Sequence, residues 1–136
     1  MSMDTALIRQ RFSAASASYD AEAEAQQHIA ARLWALAAPH ITSGAAVLEI
    51  GAGTGLLTRL ILEAQPRSLT VNDLYISPQV QELARQFSGR VQCREGDAEH
   101  LEFGGPFDAV LSASTVQWFA DIPAFFARCA GVLPKG

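Results

Sequence analysis

A run of glycines is the first place where residue types and spacing predict chemistry. The segment VLEIGAGTG ends an apolar run and places glycine at positions 51, 53 and 55. Because glycine has no β-carbon, such a turn can bend sharply and let a ligand approach main-chain atoms closely. We therefore predict a ligand-binding turn, and its members are Glu49, Gly51, Ala52, Gly53 and Gly55.

The spacing of these glycines separates two classes of cofactor. Dinucleotide-binding folds use the pattern G-x-G-x-x-G, which cradles a pyrophosphate. Here the third glycine is Gly55 and a leucine occupies position 56, so the pattern is the G-x-G-x-G of S-adenosylmethionine enzymes. The sequence therefore predicts S-adenosylmethionine as the cofactor. A tight turn that needs glycine for packing alone is the alternative.

Acidic residues follow the next two apolar runs. Asp73 ends the second run, where its carboxylate could accept two hydrogen bonds from a ribose diol. Asp97 and Ala98 follow the third run and could offer a carboxylate and a main-chain amide to an adenine edge. Leu74 is apolar enough to cover one face of the base. The alternatives are a solvated strand end at Asp73 and an ordinary Gly-Asp turn at 96–97.

Polar residues also follow the fourth apolar run. We predict Ser112 as a further cofactor residue, and Gln117 with Trp118 as the lining of a methyl-transfer site. Both of these side chains carry polar groups that need partners, which core packing does not readily supply. Packing of Trp118 in the core is the alternative.

The elements that must position these residues follow from the periodicity of the chain. Short apolar runs alternate with helical segments, which is typical of βαβ units with a parallel sheet. Such sheets bind ligands at the carboxyl ends of their strands, where all the residues above fall. The predicted strands span 46–50, 68–73, 91–95 and 107–112, and the predicted helices span 56–63, 77–87 and 121–133, after an N-terminal helical region. Ser77 and Asp121 are the predicted N-caps of the last two helices.

Composition limits the function classes. The 136 residues suffice for one domain, and 49% are hydrophobic, so we expect a packed core. The net charge of −4 and the absence of a basic run argue against nucleic acid, and no apolar stretch approaches a membrane span. We expect a cytoplasmic protein without membrane contact. Cys93 and Cys129 have no metal-ligand or disulfide spacing, so we expect no metal.

The motifs together resemble a known family. VLEIGAGTG, VNDL, GDAEHL and LSASTVQWF, with the pattern F-x-x-A-x-x-x-Y-D at 12–20, resemble class I methyltransferases. More narrowly, the chain resembles the malonyl-acyl-carrier-protein O-methyltransferases of biotin biosynthesis. This resemblance implies a Rossmann-like doubly wound parallel α/β sheet. It also implies an N-terminal helical lid over 1–40 and an S-adenosylmethionine-binding domain over 41–136.

The resemblance also implies a reaction and further site residues. The reaction is O-methylation of the free carboxylate of a malonyl thioester, carried by acyl-carrier protein or coenzyme A. Tyr19, in the lid, would lie near the methionine end of the cofactor or the substrate mouth. The alternatives are methylation of another small molecule, such as a quinone precursor, and a cofactor-binding module without turnover.

One departure from the family concerns length. Members continue past the turn at 133–136 into three more strands, whereas about four strands are expected here. The fourth run, apolar on successive positions, predicts a strand buried on both faces. As an edge it would expose unpaired backbone groups, so we expect an incomplete domain that self-associates.

Overall fold

The computed structural model describes residues 19–113 and 120–133. Its described elements are α1 (Tyr19–Ala37), a 3-10 turn (Ala38–His40), β1 (Ala46–Ile50), α2 (Leu56–Glu63), β2 (Ser68–Asp73), α3 (Pro78–Gln86), β3 (Val91–Glu95), β4 (Ala109–Leu111) and α4 (Ile122–Val132). The predicted order of helices and strands is therefore confirmed within these ranges.

The strands form one parallel sheet in the order β3-β2-β1-β4. β1 lies in the middle of the sheet and all five of its residues are buried. The register pairs Ile50 with Asn72 and Glu49 with Leu111, so the carboxyl ends of β1, β2 and β4 meet at one edge. This is the predicted α/β fold, and it brings the residues after each strand together.

Helices cover both faces of the sheet. Successive side chains of a strand point to opposite faces, and Val47 and Leu48 accordingly belong to different core clusters. On one face α1, α2 and α3 pack over the sheet, with Ala30 of α1 only 3% exposed. On the other face α4 and the segment before β4 pack through Phe125 and Phe107. The fold is thus doubly wound, as predicted.

Side-chain caps begin two of the helices where the sequence places them. Ser77 Oγ accepts a hydrogen bond from the Val80 amide at 3.2 Å, and Pro78 follows in the first turn. Asp121 Oδ1 accepts from the Ala124 amide at 3.0 Å. Each cap satisfies an amide that has no partner within its own helix.

The fourth strand is shorter than predicted. Its ladder covers Ala109–Leu111, because the Phe107 amide donates to the carbonyl of Val132 at the end of α4. The prediction of burial on both faces is met in part, since Leu111 is buried on one face and Val110 is half-buried on the other. Among the described residues β4 pairs only with β1. No helix in the described ranges combines the length and the apolarity that a membrane span needs.

Gly55 provides a test of how the turn between β1 and α2 packs. It precedes α2 with a φ of +90°, and an added β-carbon would approach Val80 and Leu83 side chains to 3.2 and 3.3 Å. We expect Gly55→Ala to lower the free energy of unfolding by about 1–3 kcal/mol, from backbone strain and crowding. Urea unfolding measures this loss. Gly44→Ala is the control, because a β-carbon there meets no atom within 4 Å in the part of the chain that the structure describes, and equal losses in both variants would contradict the prediction.

Candidate functional site

The glycine turn after β1 is held by the last two residues of β2. The amides of Gly51 and Ala52 both donate to the Asn72 carbonyl, at 2.8 and 3.0 Å. The Gly53 amide donates to Asp73 Oδ2 at 2.7 Å. Three successive amides of the turn are therefore fixed by one neighbouring strand, without using any side chain of the turn itself.

The glycines of this turn have different roles. Gly51 and Gly53 have φ of +75° and +57°, in the region that favours glycine. A β-carbon on Gly53 would meet no atom of the described residues within 4 Å, so the turn is open there with respect to that part of the chain, whereas Gly55 packs against α3. Packing alone therefore accounts for Gly55 and not for Gly53, whose exposed main chain is suited to a ligand that approaches closely.

The Asp73 carboxylate lies at this open edge. Its Oδ1 accepts from the Leu74 amide at 2.7 Å while its Oδ2 holds Gly53. A carboxylate has about four lone-pair sites, so two acceptor sites remain for a ligand. Leu74 and Tyr75, which follow, are 46% and 57% exposed and offer apolar surface beside the carboxylate.

Asn72 also positions the turn after β3. Its Nδ2 donates to the carbonyls of Arg94 and Gly96 at 2.8 and 3.1 Å, and the Gly96 amide donates to the Asp73 carbonyl at 2.8 Å. Asn72 is 2% exposed. Sequence reasoning missed this residue. The available signal was an amide side chain at a buried position of a central strand, where a polar group needs partners.

Asp97 and Ala98, predicted near adenine, lie in the turn that Asn72 helps to fix. The Asp97 side chain is exposed, and its Oδ1 accepts from the Glu99 amide at 2.9 Å. Ala98 is 4% exposed, and its methyl group belongs to the core cluster on the α4 side of the sheet. Any contribution of Ala98 to ligand binding would therefore come from its main chain.

Glu49 lies beneath the glycine turn instead of lining its open side. It is 1% exposed, and its Oε1 accepts from Thr58 Oγ1 at 2.5 Å. Burial raises the pKa of Glu49 from 4.5 to about 7, with the Thr58 hydrogen bond opposing that rise and the Asp73 charge adding to it. The predicted direct contact with a cofactor is thus not favoured by the placement of this side chain.

Ser112 lies next to the same turn. The register of β4 with β1 pairs Leu111 with Glu49, which places Ser112 beside the start of the glycine turn. Its Oγ is buried and has no hydrogen-bond partner among the described residues. A buried hydroxyl without a partner costs about 1–3 kcal/mol. A polar ligand atom at this edge would relieve that cost.

The predicted methyl-transfer residues cannot be placed in this geometry. Tyr19 begins α1, but its side chain is outside what the structure describes, as are Gln117 and Trp118 entirely. Their roles stay predictions. Across the described ranges, no group of three or more His, Cys, Asp or Glu side chains is arranged to hold a metal ion.

About two thirds of the chain matches a known sequence family. A family model described as a methyltransferase domain matches residues 48–136, a range that contains the glycine turn, Asp73 and Asp97. The chain belongs to this methyltransferase domain family. The class of protein predicted from the motifs is therefore confirmed.

Individual members of the family are also similar to the chain. It is 39% identical to a malonyl-[acyl-carrier protein] O-methyltransferase of Chlorobium phaeovibrioides, over 98% of this chain and 54% of that protein. It is 38% identical to the biotin biosynthesis bifunctional protein of Bordetella avium, over 95% of this chain and 28% of that protein. The chain thus spans about half, or less, of the length of these curated relatives.

A solved methyltransferase has the same fold. The 1,6-didemethyltoxoflavin-N1-methyltransferase of Burkholderia thailandensis, crystallised with 1,6-didemethyltoxoflavin and S-adenosylhomocysteine, matches with a TM-score of 0.66. The alignment covers 98% of this chain and 60% of that one at 24% identity. The comparison confirms the Rossmann-like methyltransferase architecture.

Glu49 makes the stability of this family member depend on pH. Because its pKa is raised from 4.5 to about 7, the folded state retains a proton that the unfolded state loses, and stability falls as pH rises through this window. A full shift corresponds to about 3 kcal/mol. We expect Glu49→Gln to remove about 2 kcal/mol of the difference in unfolding free energy between pH 5 and pH 8.5. Chemical unfolding at both pH values measures it.

The control for this prediction is on the helix after the turn. Glu63 is the last residue of α2. It has the same side chain as Glu49, but it is exposed to solvent. Glu63→Gln should leave the pH dependence of stability as in the wild type. A Glu49→Gln protein with the same pH dependence as the wild type would show that folding does not raise the pKa of Glu49.

Proposed function

We propose that this chain is the cofactor-binding part of an S-adenosylmethionine-dependent methyltransferase. Its proposed substrate is the free carboxylate of a malonyl thioester on acyl-carrier protein or coenzyme A, methylated early in biotin biosynthesis. The observation that carries the proposal is the position of the Asp73 carboxylate. Its Oδ2 accepts a hydrogen bond from the Gly53 amide of the glycine turn at 2.7 Å, and the carboxylate still has acceptor sites for a ribose diol. The names of the relatives support the choice of acceptor.

The residues at the sheet edge fit an adenosyl cofactor. Asp73 would accept the ribose hydroxyls, and the main chain around Gly51 and Gly53 would lie against the methionine part. Asp97 and Ala98 would bind the adenine edge, with Leu74 covering the ring. Ser112, whose hydroxyl has no partner within the described ranges, would supply it to a polar atom of the ligand. When bound, S-adenosylmethionine supplies a methyl group activated by its positively charged sulfur.

A carboxylate acceptor requires little further chemistry from the protein. The pKa of a carboxyl group is about 4, so the acceptor is already ionised and nucleophilic at neutral pH and needs no general base. All three histidines, His28, His40 and His100, are exposed, which agrees with a reaction that uses none of them as a base. The protein would act by holding the carboxylate oxygen in line with the methyl group and excluding water.

The remaining roles belong to the same proposal. Tyr19, Gln117 and Trp118 would line the acceptor side, as the family resemblance implies. The acceptor carboxylate would require a cationic partner, and an arginine is best suited because it binds carboxylates through two hydrogen bonds. A cytoplasmic location goes with this function, because acyl-carrier and coenzyme A thioesters are intracellular.

Methyl transfer tests the function directly. With the whole enzyme of which this chain is proposed to be the cofactor-binding part, we expect radiolabel from S-adenosylmethionine to appear on malonyl-acyl-carrier protein, and not on the acetyl form, which lacks a free carboxylate. Free malonate and quinone precursors serve as competing acceptors. Label on one of those molecules alone would contradict the proposed substrate. Cofactor binding without transfer to any acceptor would favour a module without turnover.

Asp73→Ala tests the cofactor site. Loss of a charged acceptor to two hydroxyls should weaken S-adenosylhomocysteine binding about tenfold to a hundredfold, because such hydrogen bonds contribute about 1.5–3 kcal/mol. Isothermal calorimetry measures the affinity, with NAD as a comparison ligand that should bind far more weakly.

The matched control lies at the opposite end of the sheet. Asp108 Oδ2 accepts from the Ala46 amide at 2.8 Å, at the amino ends of β1 and β4. Asp108→Ala should lower stability and leave cofactor affinity unchanged. Unchanged affinity in a folded Asp73→Ala protein, or tighter binding of NAD by the wild type, would contradict the proposed site.

A further inference from the structure

The turn after β3 and the start of α4 are connected by side chains from both sides. Glu99, in the turn, accepts from the amides of Ala120 and Asp121 through its Oε1 and Oε2, each at 3.0 Å. Arg128, on α4, donates from Nη1 to the Ala98 carbonyl at 2.8 Å and also to the Glu99 carbonyl. The two residues form a reciprocal connection that we call the Glu99–Arg128 brace.

Each carboxylate oxygen of Glu99 has its own main-chain partner. One carboxylate binds two consecutive amides that are 21 and 22 residues away in the chain. These amides lie just before α4, where the helix N-terminus favours a negative charge, and the Asp121 side chain satisfies a third amide, that of Ala124. Glu99 therefore fixes the point at which the chain enters α4.

The brace acts on the residues that are proposed to bind adenine. Asp97 Oδ1 accepts from the Glu99 amide at 2.9 Å, and the Ala98 carbonyl is held by Arg128. Asn72 fixes the same turn from the sheet side through the Gly96 carbonyl. The turn 96–99 is therefore fixed at its beginning by β2 and at its end by α4.

We propose that Glu99 is a positioning residue for recognition of the adenine base. It acts through Asp97 and Ala98, whose orientation it fixes relative to α4, and Arg128 supports the same orientation. This inference rests on the proposed function, because it assumes an adenosyl ligand at this turn. Nothing in the contacts of Glu99 requires it to touch the ligand itself.

The proposed role predicts a change in base selectivity. The adenine amino group would donate to the Asp97 carboxylate, whereas hypoxanthine has a carbonyl oxygen at that position, which the carboxylate would repel. A correctly oriented Asp97 should therefore favour adenine over hypoxanthine. When the brace is removed, Asp97 gains freedom to turn away, so affinity for adenine falls while the penalty for hypoxanthine is relieved.

The experiment compares S-adenosylhomocysteine with S-inosylhomocysteine by calorimetry in the wild type, Glu99→Ala and Glu99→Gln. We expect Glu99→Ala to bind S-adenosylhomocysteine about tenfold more weakly and to lose most of the preference for adenine. Glu99→Gln keeps one carbonyl oxygen for an amide, so we expect partial rescue of both values. Arg128→Gln should reduce the preference in the same direction.

Glu102→Gln is the matched control. Glu102 is an exposed residue three positions after Glu99, and its main-chain carbonyl, which the substitution retains, accepts a hydrogen bond from Arg94. It should retain wild-type affinity and selectivity. Thermal unfolding identifies variants that are folded, and if Glu99→Ala is not, Glu99→Gln provides the comparison.

The outcomes separate the inference from the proposed function. If the wild type binds neither ligand, the proposed function fails and the inference fails with it. If the wild type binds, and a folded Glu99 variant keeps its affinity or loses both ligands by the same factor, the inference alone is overturned. A selective loss of adenine preference in the Glu99 variants supports it.

Discussion

Where the parallel strands end, the backbone amides and carbonyls of the turns that follow need hydrogen-bond partners. The arrangement of the site at the carboxyl ends of the strands depends on this constraint. Asn72 meets this need in two directions. Its carbonyl accepts from two amides of the glycine turn, and its side chain donates to two carbonyls at the end of β3. Because the residue is buried, water cannot replace these partners without exposing the core. The distance between the two turns is therefore set by one residue of β2, and Asp73 follows it directly.

The glycine turn has an accessible main chain on its outer side and a buried carboxyl group beneath it. Gly53 leaves space beside its main chain, while Glu49 below it is buried with a pKa raised to about 7 by that burial. Thr58, from the first turn of α2, supplies the hydrogen bond that this carboxyl needs. The packing of β1 on both faces must offset the desolvation of Glu49. The turn and the helix after it are thus joined by a polar contact inside an apolar layer.

Local signals made much of this structure predictable. The glycine spacing, the Ser77 and Asp121 caps and the first three strands depend on residues close in sequence, and the structure places them as expected. Long-range contacts were not predictable in the same way. The bonds of Asn72 and Glu99 join segments about twenty residues apart, and no periodicity encodes them. β4 was predicted too long because the Phe107 amide pairs with the end of α4, a contact that its apolar sequence does not indicate.

The hydrogen bonds that Asn72 and Asp73 of β2 make to the glycine turn and to the end of β3 all involve main-chain atoms of those two segments. A main-chain partner is present whatever side chain the position carries, so substitutions in the turns change these bonds little unless they disturb backbone geometry. The side chains of the two turns can therefore vary while these bonds to β2 persist. For enzyme engineering, a library that retains Asn72, Asp73, the glycines and Ser112 and randomises the proposed acceptor residues Gln117 and Trp118 would explore new acceptors with less risk to the proposed cofactor site.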